Sequence, residues 1–352
     1  MAYIKGRGSQ IHTSNRFITR EVSFDDPDGT DMPPEHGRQT VIRNEFPKTI
    51  LNKVSSPDVN MVYSVNPYQG CEHGCSYCYA RNTHEYHGLS AGLDFEQQIF
   101  AKPNAAEILR NTLSSRNYKP DVISLSGNTD CYQPIERKLK ITRSLLQTLE
   151  EFNNPVGIIT KNALILRDLD ILKRLAKKRL IHVMVSITTL NESLRQKLEP
   201  RTASAARRLE VIRQLTENGI PTGVMAAPLI PGLNSDESDQ IIAAAADVGA
   251  LEAGHIIVRL NGSVKQVFHD WLYRNFPDRA EKVWNLIRSC HGGDVEDSRF
   301  GKRMSGEGQV AHSINQLIRI SRNKHLHGRK MPEYDLSLFK VPFNKKGQLQ
   351  LF

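Results

Sequence analysis

Between residues 61 and 290 short β-type runs alternate with helical stretches, and this alternation restricts the fold more than any other feature of the chain. The runs cover 61–65 (MVYSV), 122–126 (VISLS), 156–160 (VGIIT), 181–187 (IHVMVSI), 221–227 (PTGVMAA) and 254–260 (GHIIVRL). Between them ITRSLLQTLEEF, RDLDILKRLAKK and AARRLEVIRQLTENG space their apolar residues three and four apart, as amphipathic helices do. TENG and DVGA supply glycine stops. Strand and helix in alternation predict parallel strands joined by right-handed crossovers. Six such units make a doubly wound sheet or a partial barrel, and both place ligands at the C-terminal ends of the strands. QQIFAK, 97–102, reads as a short strand outside this count.

The flanks differ. Residues 1–60 are polar, with FDDPDGTDMPPEHG in their middle, and read as an irregular arm. After residue 290 the pattern changes to one amphipathic helix, GQVAHSINQLIRISR (308–322), with Val310, Ile314, Leu317 and Ile318 on one face. The expected organisation is an arm (1–60), an α/β body (61–290) and an extension (291–352). The extension is basic: ten of the 47 Lys/Arg but three of the 38 Asp/Glu follow residue 300. That asymmetry suits either a polyanionic partner or a solvated face. Arg319, Arg322, Lys324, Arg329 and Lys330 are the candidate phosphate contacts. No apolar run reaches the roughly 18 residues of a membrane span, and the first fifteen residues carry no apolar signal segment. Five cysteines are too few for a disulfide scaffold. The expectation is a soluble, cytoplasmic protein with no membrane partner.

Three of the cysteines, Cys71, Cys75 and Cys78, lie within eight residues as C-x3-C-x2-C in NPYQGCEHGCSYCYA. Structural zinc takes four ligands, so zinc would need His73 or His84 as well. Three thiolates suit a four-iron cluster that keeps one iron open.

C-x3-C-x2-C with an aromatic, Tyr77, before the third cysteine resembles the signature of the radical S-adenosylmethionine (SAM) superfamily. NPYQGCEHGCSYCYAR, TDCYQPIE, TKNALILRDLDIL, VSITTL, LEPRT and APLIPGLN resemble, in order, the blocks of its spore photoproduct lyase branch. HEYHGLSAGLDFE and the early KGRG…SNRF resemble an uncharacterised bacterial subgroup of that branch. The resemblance runs over nearly the whole chain. It implies a partial (β/α)6 TIM-like barrel, a [4Fe–4S] cluster on Cys71, Cys75 and Cys78, and S-adenosyl-L-methionine as second cofactor. It also implies reductive cleavage of SAM to a 5′-deoxyadenosyl radical, an electron donor such as flavodoxin or ferredoxin, and a DNA-repair-like lyase reaction on nucleic acid, DNA favoured. RNA, protein or a metabolite as substrate, and a non-catalytic iron–sulfur or zinc binding module, are the alternatives.

The resemblance carries roles onto particular residues. Tyr77 and Tyr79 approach the adenosine or cover the cluster. Ser126, Asn128 and Thr129 belong to a polar loop, closed by Asp130, that accepts from the methionine amino group. Lys161 binds the methionine carboxylate. Ser186 bonds the ribose or the carboxylate, Arg201 forks onto a carboxylate or caps a turn, and Ala227 with Ala226 and Pro228 walls the adenine. Arg259 and Asn261 lie on the substrate side by position. Cys131, next to Asp130, either returns hydrogen to a substrate radical or is a small buried residue lining the pocket. The last five residues, Gln348, Leu349, Gln350, Leu351 and Phe352, resemble the QLxLF peptide that docks on the DNA polymerase sliding clamp. Two apolar side chains after a polar stretch suit a preformed pocket; folding back onto the protein's own core is the other reading.

Overall fold

The computed structural model describes residues 3–18, 39–59 and 61–342. All six expected strands form: β3 (Tyr63–Val65), β6 (Ile123–Leu125), β7 (Val156–Thr160), β8 (Ile181–Ser186), β9 (Thr222–Leu229) and β10 (Ala253–Ile257). They pair in parallel in sequence order, and β2 (Leu51–Lys53) pairs antiparallel to β3 at one edge. Strands β2 and β10 remain the two edges, so the sheet is a partial barrel and is not closed. Long helices follow the strands: α1 (Ala105–Leu113), α2 (Ile141–Phe152), α3 (Leu169–Lys177), α4 (Ala205–Glu217), α5 (Ser238–Asp247), α6 (Val264–Asn275) and α7 (Pro277–Ser289).

The period-two pattern decides which face each strand residue joins. In β7 Val156 and Ile158 are buried and join the main core, together with Leu145, Leu149, Leu172 and Leu175 of the helices. Gly157 and Ile159 face the other way. With Ser124, Met184 and Met225 they line a cavity of about 410 Å³ on the inner face of the sheet. Burying a Leu or Ile is worth roughly 1.5–3 kcal/mol, so the outer face holds the barrel together and the inner face is left for ligands. Both expected glycine stops are present: Gly219 and Gly249 end α4 and α5 at φ +73° and +99°, a region that favours glycine.

The flanks are more ordered than the composition indicates. The arm is irregular over most of its described length, but it supplies β2 and also β1 (Val41–Asn44). β1 pairs with β5 (Gln98–Ala101), which in turn pairs with β4 (Tyr68–Gln69), making a separate three-stranded sheet. QQIFAK is therefore a strand, in that second sheet. The helix expected over 308–322 runs on to His325 as α8 (Gly308–His325), with Ala311, Ile314 and Ile318 in the main core. After it the chain passes the N-terminal ends of the strands. Tyr334 stacks on His182 at 3.9 Å, and Phe339 packs near Tyr118 and Phe152. Met331 and Tyr334 complete the lining of the inner cavity. The stretch 331–342 is thus packed against the body rather than a free polar tail. The terminal QLQLF peptide lies outside the described residues. Among the described residues no helix is long and apolar enough to cross a membrane.

Candidate active site

The three-cysteine segment connects β4 to a 3-10 helix, Tyr79–His87. Cys71 and Cys75 are buried and Cys78 is half-buried. Two glycines shape the loop: Gly70 and Gly74 have φ of +77° and +68°, and a Cβ on Gly74 would meet Glu96 Oε2 at 2.8 Å. Burial raises all three thiols above the ordinary range, and the charge of Asp130 and of the other two cysteines raises Cys71 further. Ser76 Oγ, between the second and third cysteines, is buried without a hydrogen-bond partner among the described residues. This donor set fits a cationic group that takes thiolates and offers an acceptor to a hydroxyl. Among the described residues no three His, Cys, Asp or Glu side chains converge as ligands of one metal ion. Both histidines weighed for zinc have other partners. Asn162 Nδ2 lies 3.0 Å from His73 Nε2, so the His73 ring accepts there and turns Nδ1 toward Asp130 at 3.5 Å. His84 Nε2 bonds Gln98 O at 2.8 Å, and its ring sits among Phe95 and Phe100.

Facing the cysteines at the ends of β7 and β8 is a buried polar hub on Glu199. It accepts from the hydroxyl of Tyr77, from Thr188 Oγ1 at 2.6 Å and from Arg208 at 2.5 Å, and Lys161 Nζ stands 3.6 Å away. Burial alone would raise this carboxyl, but Arg208, Lys161 and the two hydroxyls hold it well below the usual carboxylate range. Lys161 Nζ also lies 5.9 Å from the centre of the Tyr77 ring. Arg208 donates to Ser186 O at 2.8 Å, which ties the end of β8 to α4. A second hub is Asp130. It accepts from Thr160 Oγ1 and from the Lys161 and Tyr132 amides at 2.8 Å each.

The expected site residues divide into three sets. Tyr77 and Lys161 meet at Glu199, and Ser186 joins them through Arg208. Tyr79 bridges the cysteine segment to the loop after β6 by donating to Gly127 O at 2.7 Å. Ser126, at φ +72°, accepts from the Cys131 amide at 2.9 Å. Ala227 is buried, and its carbonyl accepts from Thr188 at 3.1 Å. In the second set the Thr129 hydroxyl donates to Tyr68 O at 2.8 Å, and the backbone N–H of Asn128 donates to Asn66 Oδ1 at 2.8 Å. Cys131 is fully buried in the main core, and its carbonyl accepts from Thr142 at 2.6 Å. In the third set, Arg201 reaches the cysteine loop, pairing with Glu72 and donating its amide to His73 O at 3.3 Å each, whereas Arg259 and Asn261 bond Asp297 O at 3.3 and 3.2 Å. The sequence reading missed Arg208, Thr188 and Thr160. Arg208 had one available signal, an arginine at a position of α4 whose neighbours on that face, Val211 and Ile212, are buried.

The family model described as the Radical SAM superfamily matches residues 65–245. The chain belongs to the radical SAM superfamily. Members use a [4Fe–4S] cluster and SAM, and the protein is an enzyme of that class. An uncharacterised protein of Mycobacterium tuberculosis is 32% identical over 244 residues, covering 68% of this chain and 72% of that protein. A protein of Pseudomonas phage M6 named radical SAM Nα-GlyT isomerase is 28% identical over 234 residues, 64% of this chain and 46% of its own. Among solved structures, a spore photoproduct lyase mutant with bound AdoMet and dinucleoside spore photoproduct superposes with a TM-score of 0.62 at 15% identity, covering 85% of each chain. That likeness is one of fold, and it agrees with the partial barrel seen here.

Not all of the radical SAM chain's basic extension is open to a polyanion. Arg329 donates to Ala246 O and Ala250 O at 2.7 and 2.9 Å, closing the C-terminal end of α5. Arg322, Lys324 and Lys330 stand within 4.0 Å of Glu252, Asp239 and Glu333. These three pairs lie on the surface and leave the side chains exposed, so of the five candidate phosphate contacts Arg329 is the one that the fold takes up.

Proposed function

We propose that this radical SAM enzyme acts on nucleic acid, DNA in preference to RNA, in a lyase-like reaction, with Cys71, Cys75 and Cys78 holding the cluster. The observation that carries the proposal is the juxtaposition of three thiols on one glycine-shaped loop with the Lys161–Glu199–Tyr77 hub at the strand ends. When bound, the cluster supplies the electron that cleaves SAM into methionine and a 5′-deoxyadenosyl radical. The chain's residues bind, orient and exclude water. Lys161 exchanges Glu199 for the methionine carboxylate, which is one charge-assisted contact for another. Glu199, held ionised by Arg208, holds Lys161 in place until the cofactor arrives. Ser186 and Ala227 contribute a hydroxyl and an apolar wall, and Tyr79 closes the loop after β6 over the site. Cys131, packed in the core, serves as a pocket-supporting residue rather than a hydrogen donor.

The nucleic-acid reading is supported by the bound dinucleoside in the lyase of the same fold and by the net charge of +9. On this reading the protein works in the cytoplasm, with flavodoxin or ferredoxin as reductant. Gln348, Leu349, Leu351 and Phe352 would dock on the sliding clamp, and a pull-down comparing the full chain with one ending at Gly347 tests that contact. The substrate is tested by incubating the anaerobic enzyme with SAM, dithionite and ultraviolet-irradiated DNA. The expected result is 5′-deoxyadenosine formation stimulated by DNA, with a changed nucleoside in the digest. Stimulation by RNA or by a metabolite extract, and none by DNA, overturns the DNA assignment.

A further inference from the structure

Glu96 is fully buried beside the cysteine segment, where it meets Arg81, the Gly8 and Ser9 amides and a second buried guanidinium, that of Arg7, which donates to Glu96 O at 2.6 Å. Its Oε1 accepts from Arg81 at 2.5 Å and from the Ser9 amide at 2.8 Å, and its Oε2 accepts from the Gly8 amide at 3.0 Å. Arg81, three residues after Cys78, is fully buried as well. Its Nε donates to Cys75 O at 2.9 Å, and its NH1 donates to Ala91 O and Gly92 O at 3.2 and 2.9 Å. The KGRGS segment lies across this pair as a strap. A Cβ on Gly8 would stand 1.6 Å from Gly74 O, and one on Gly92 would stand 2.0 Å from Ile11 O. Backbone therefore lies directly on backbone, at a glycine of the cysteine loop itself. An arginine needs no such arrangement merely to fill space, because an apolar side chain of similar volume is often as stable or more so.

We propose that Glu96 tunes the reduction potential of the cluster by cancelling the charge of Arg81, and that the KGRGS strap holds the pair in place away from water. This rests on the reading of Cys71, Cys75 and Cys78 as cluster ligands. Reduction adds an electron to the cluster, so a nearby uncompensated cation favours the reduced form. In a low-dielectric wall that preference is large. Paired with Glu96, Arg81 anchors Cys75 through its backbone carbonyl while adding little net positive charge. The cluster then keeps a potential low enough to reduce a sulfonium.

The test is an anaerobic redox titration followed by electron paramagnetic resonance, on full-length protein reconstituted with iron and sulfide. Glu96→Gln keeps the shape and removes the charge. Its ratio of reduced to oxidised cluster at a fixed potential should rise roughly tenfold, a midpoint shift of about 59 mV upward for one electron. The double variant Arg81→Met with Glu96→Gln removes both charges and should return the midpoint to the wild-type value. Glu96→Asp, which keeps the charge, should stay closer to wild type than Glu96→Gln. A wild-type midpoint in Glu96→Gln overturns the inference while leaving the cluster reading intact. So does failure of both neutral variants to hold a cluster, because the pair is then scaffolding alone. A wild-type protein that takes up no iron–sulfur cluster overturns the cluster reading together with this one.

Discussion

Arg208 of α4 reaches Glu199 at 2.5 Å, both side chains buried, and so fixes the carboxylate that faces Lys161 across the strand ends. The arginine also holds Ser186 O and Thr202 Oγ1. The helix α4, the end of β8 and the 199–202 loop are thereby joined at one guanidinium, and the carboxylate facing Lys161 at the end of the neighbouring strand β7 is held in place. Removing one partner of a buried pair leaves an uncompensated charge, which costs about 3–5 kcal/mol. Arg208→Ala is expected to lower the unfolding free energy, read from the urea midpoint and slope, by an amount in that range. A change below 1 kcal/mol would mean that the hub is solvated in solution.

The pH dependence of stability has a defined window. Burial lowers the His84 ring from 6.5 to about 4, and its Nδ1 is buried without a partner among the described residues. Between these two values the unfolded chain binds the proton and the folded chain does not. Stability is therefore full above about pH 6.5 and falls as the pH drops to about 4, with no further loss from this group below that. A shift of that size is worth about 3 kcal/mol. His84→Gln, which can still donate to Gln98 O, should flatten the unfolding profile between pH 6.5 and 4. An unchanged profile would assign the acid sensitivity to other groups.

The strands were legible because parallel strands covered by helices are bounded by turns and amphipathic stretches, and this pattern is local in the sequence; their order, which separates a barrel from a doubly wound sheet, came only with the family resemblance. The cysteine spacing was legible for the same reason. Arg208, Thr188, Thr160 and Glu96 were not, since each acts through partners 9 to 111 positions away, and only the apolar face shared with Val211 and Ile212 sets Arg208 apart from a surface arginine of a helix. The ordering of β1 and β2 was hidden too: their polar residues are edge positions whose pairing is decided by β5 and β3. In the basic extension the charges were visible, whereas the two carbonyls of α5 and its C-terminal turn that take up Arg329 were not.

Cys131 distinguishes a chemical role from a packing one. The residue is fully buried in the main core, so Cys131→Ala should cost on the order of 1 kcal/mol. It should still form 5′-deoxyadenosine and give the same product as the wild type. A trapped or altered product, read by mass spectrometry, would make the thiol a hydrogen donor.

Arg329 should behave as a structural residue. Its guanidinium closes two carbonyls at the end of α5, and leaving those unsatisfied costs about 1–3 kcal/mol. Arg329→Ala is expected to lower stability while leaving the salt dependence of DNA binding unchanged. By contrast Arg319→Ala, on the exposed face of α8, should reduce the slope of log affinity against log salt by about 1. The opposite pattern would place the phosphates at Arg329.

The measurement closest to the central claim is the iron, sulfide and zinc content of the anaerobically purified and reconstituted chain, read alongside 5′-deoxyadenosine formation. The account predicts about four iron and four sulfide per chain, SAM cleavage on adding dithionite, and loss of cleavage when Cys71, Cys75 or Cys78 is replaced by Ala. Stoichiometric zinc without iron, or cleavage that survives any one of those replacements, would contradict it.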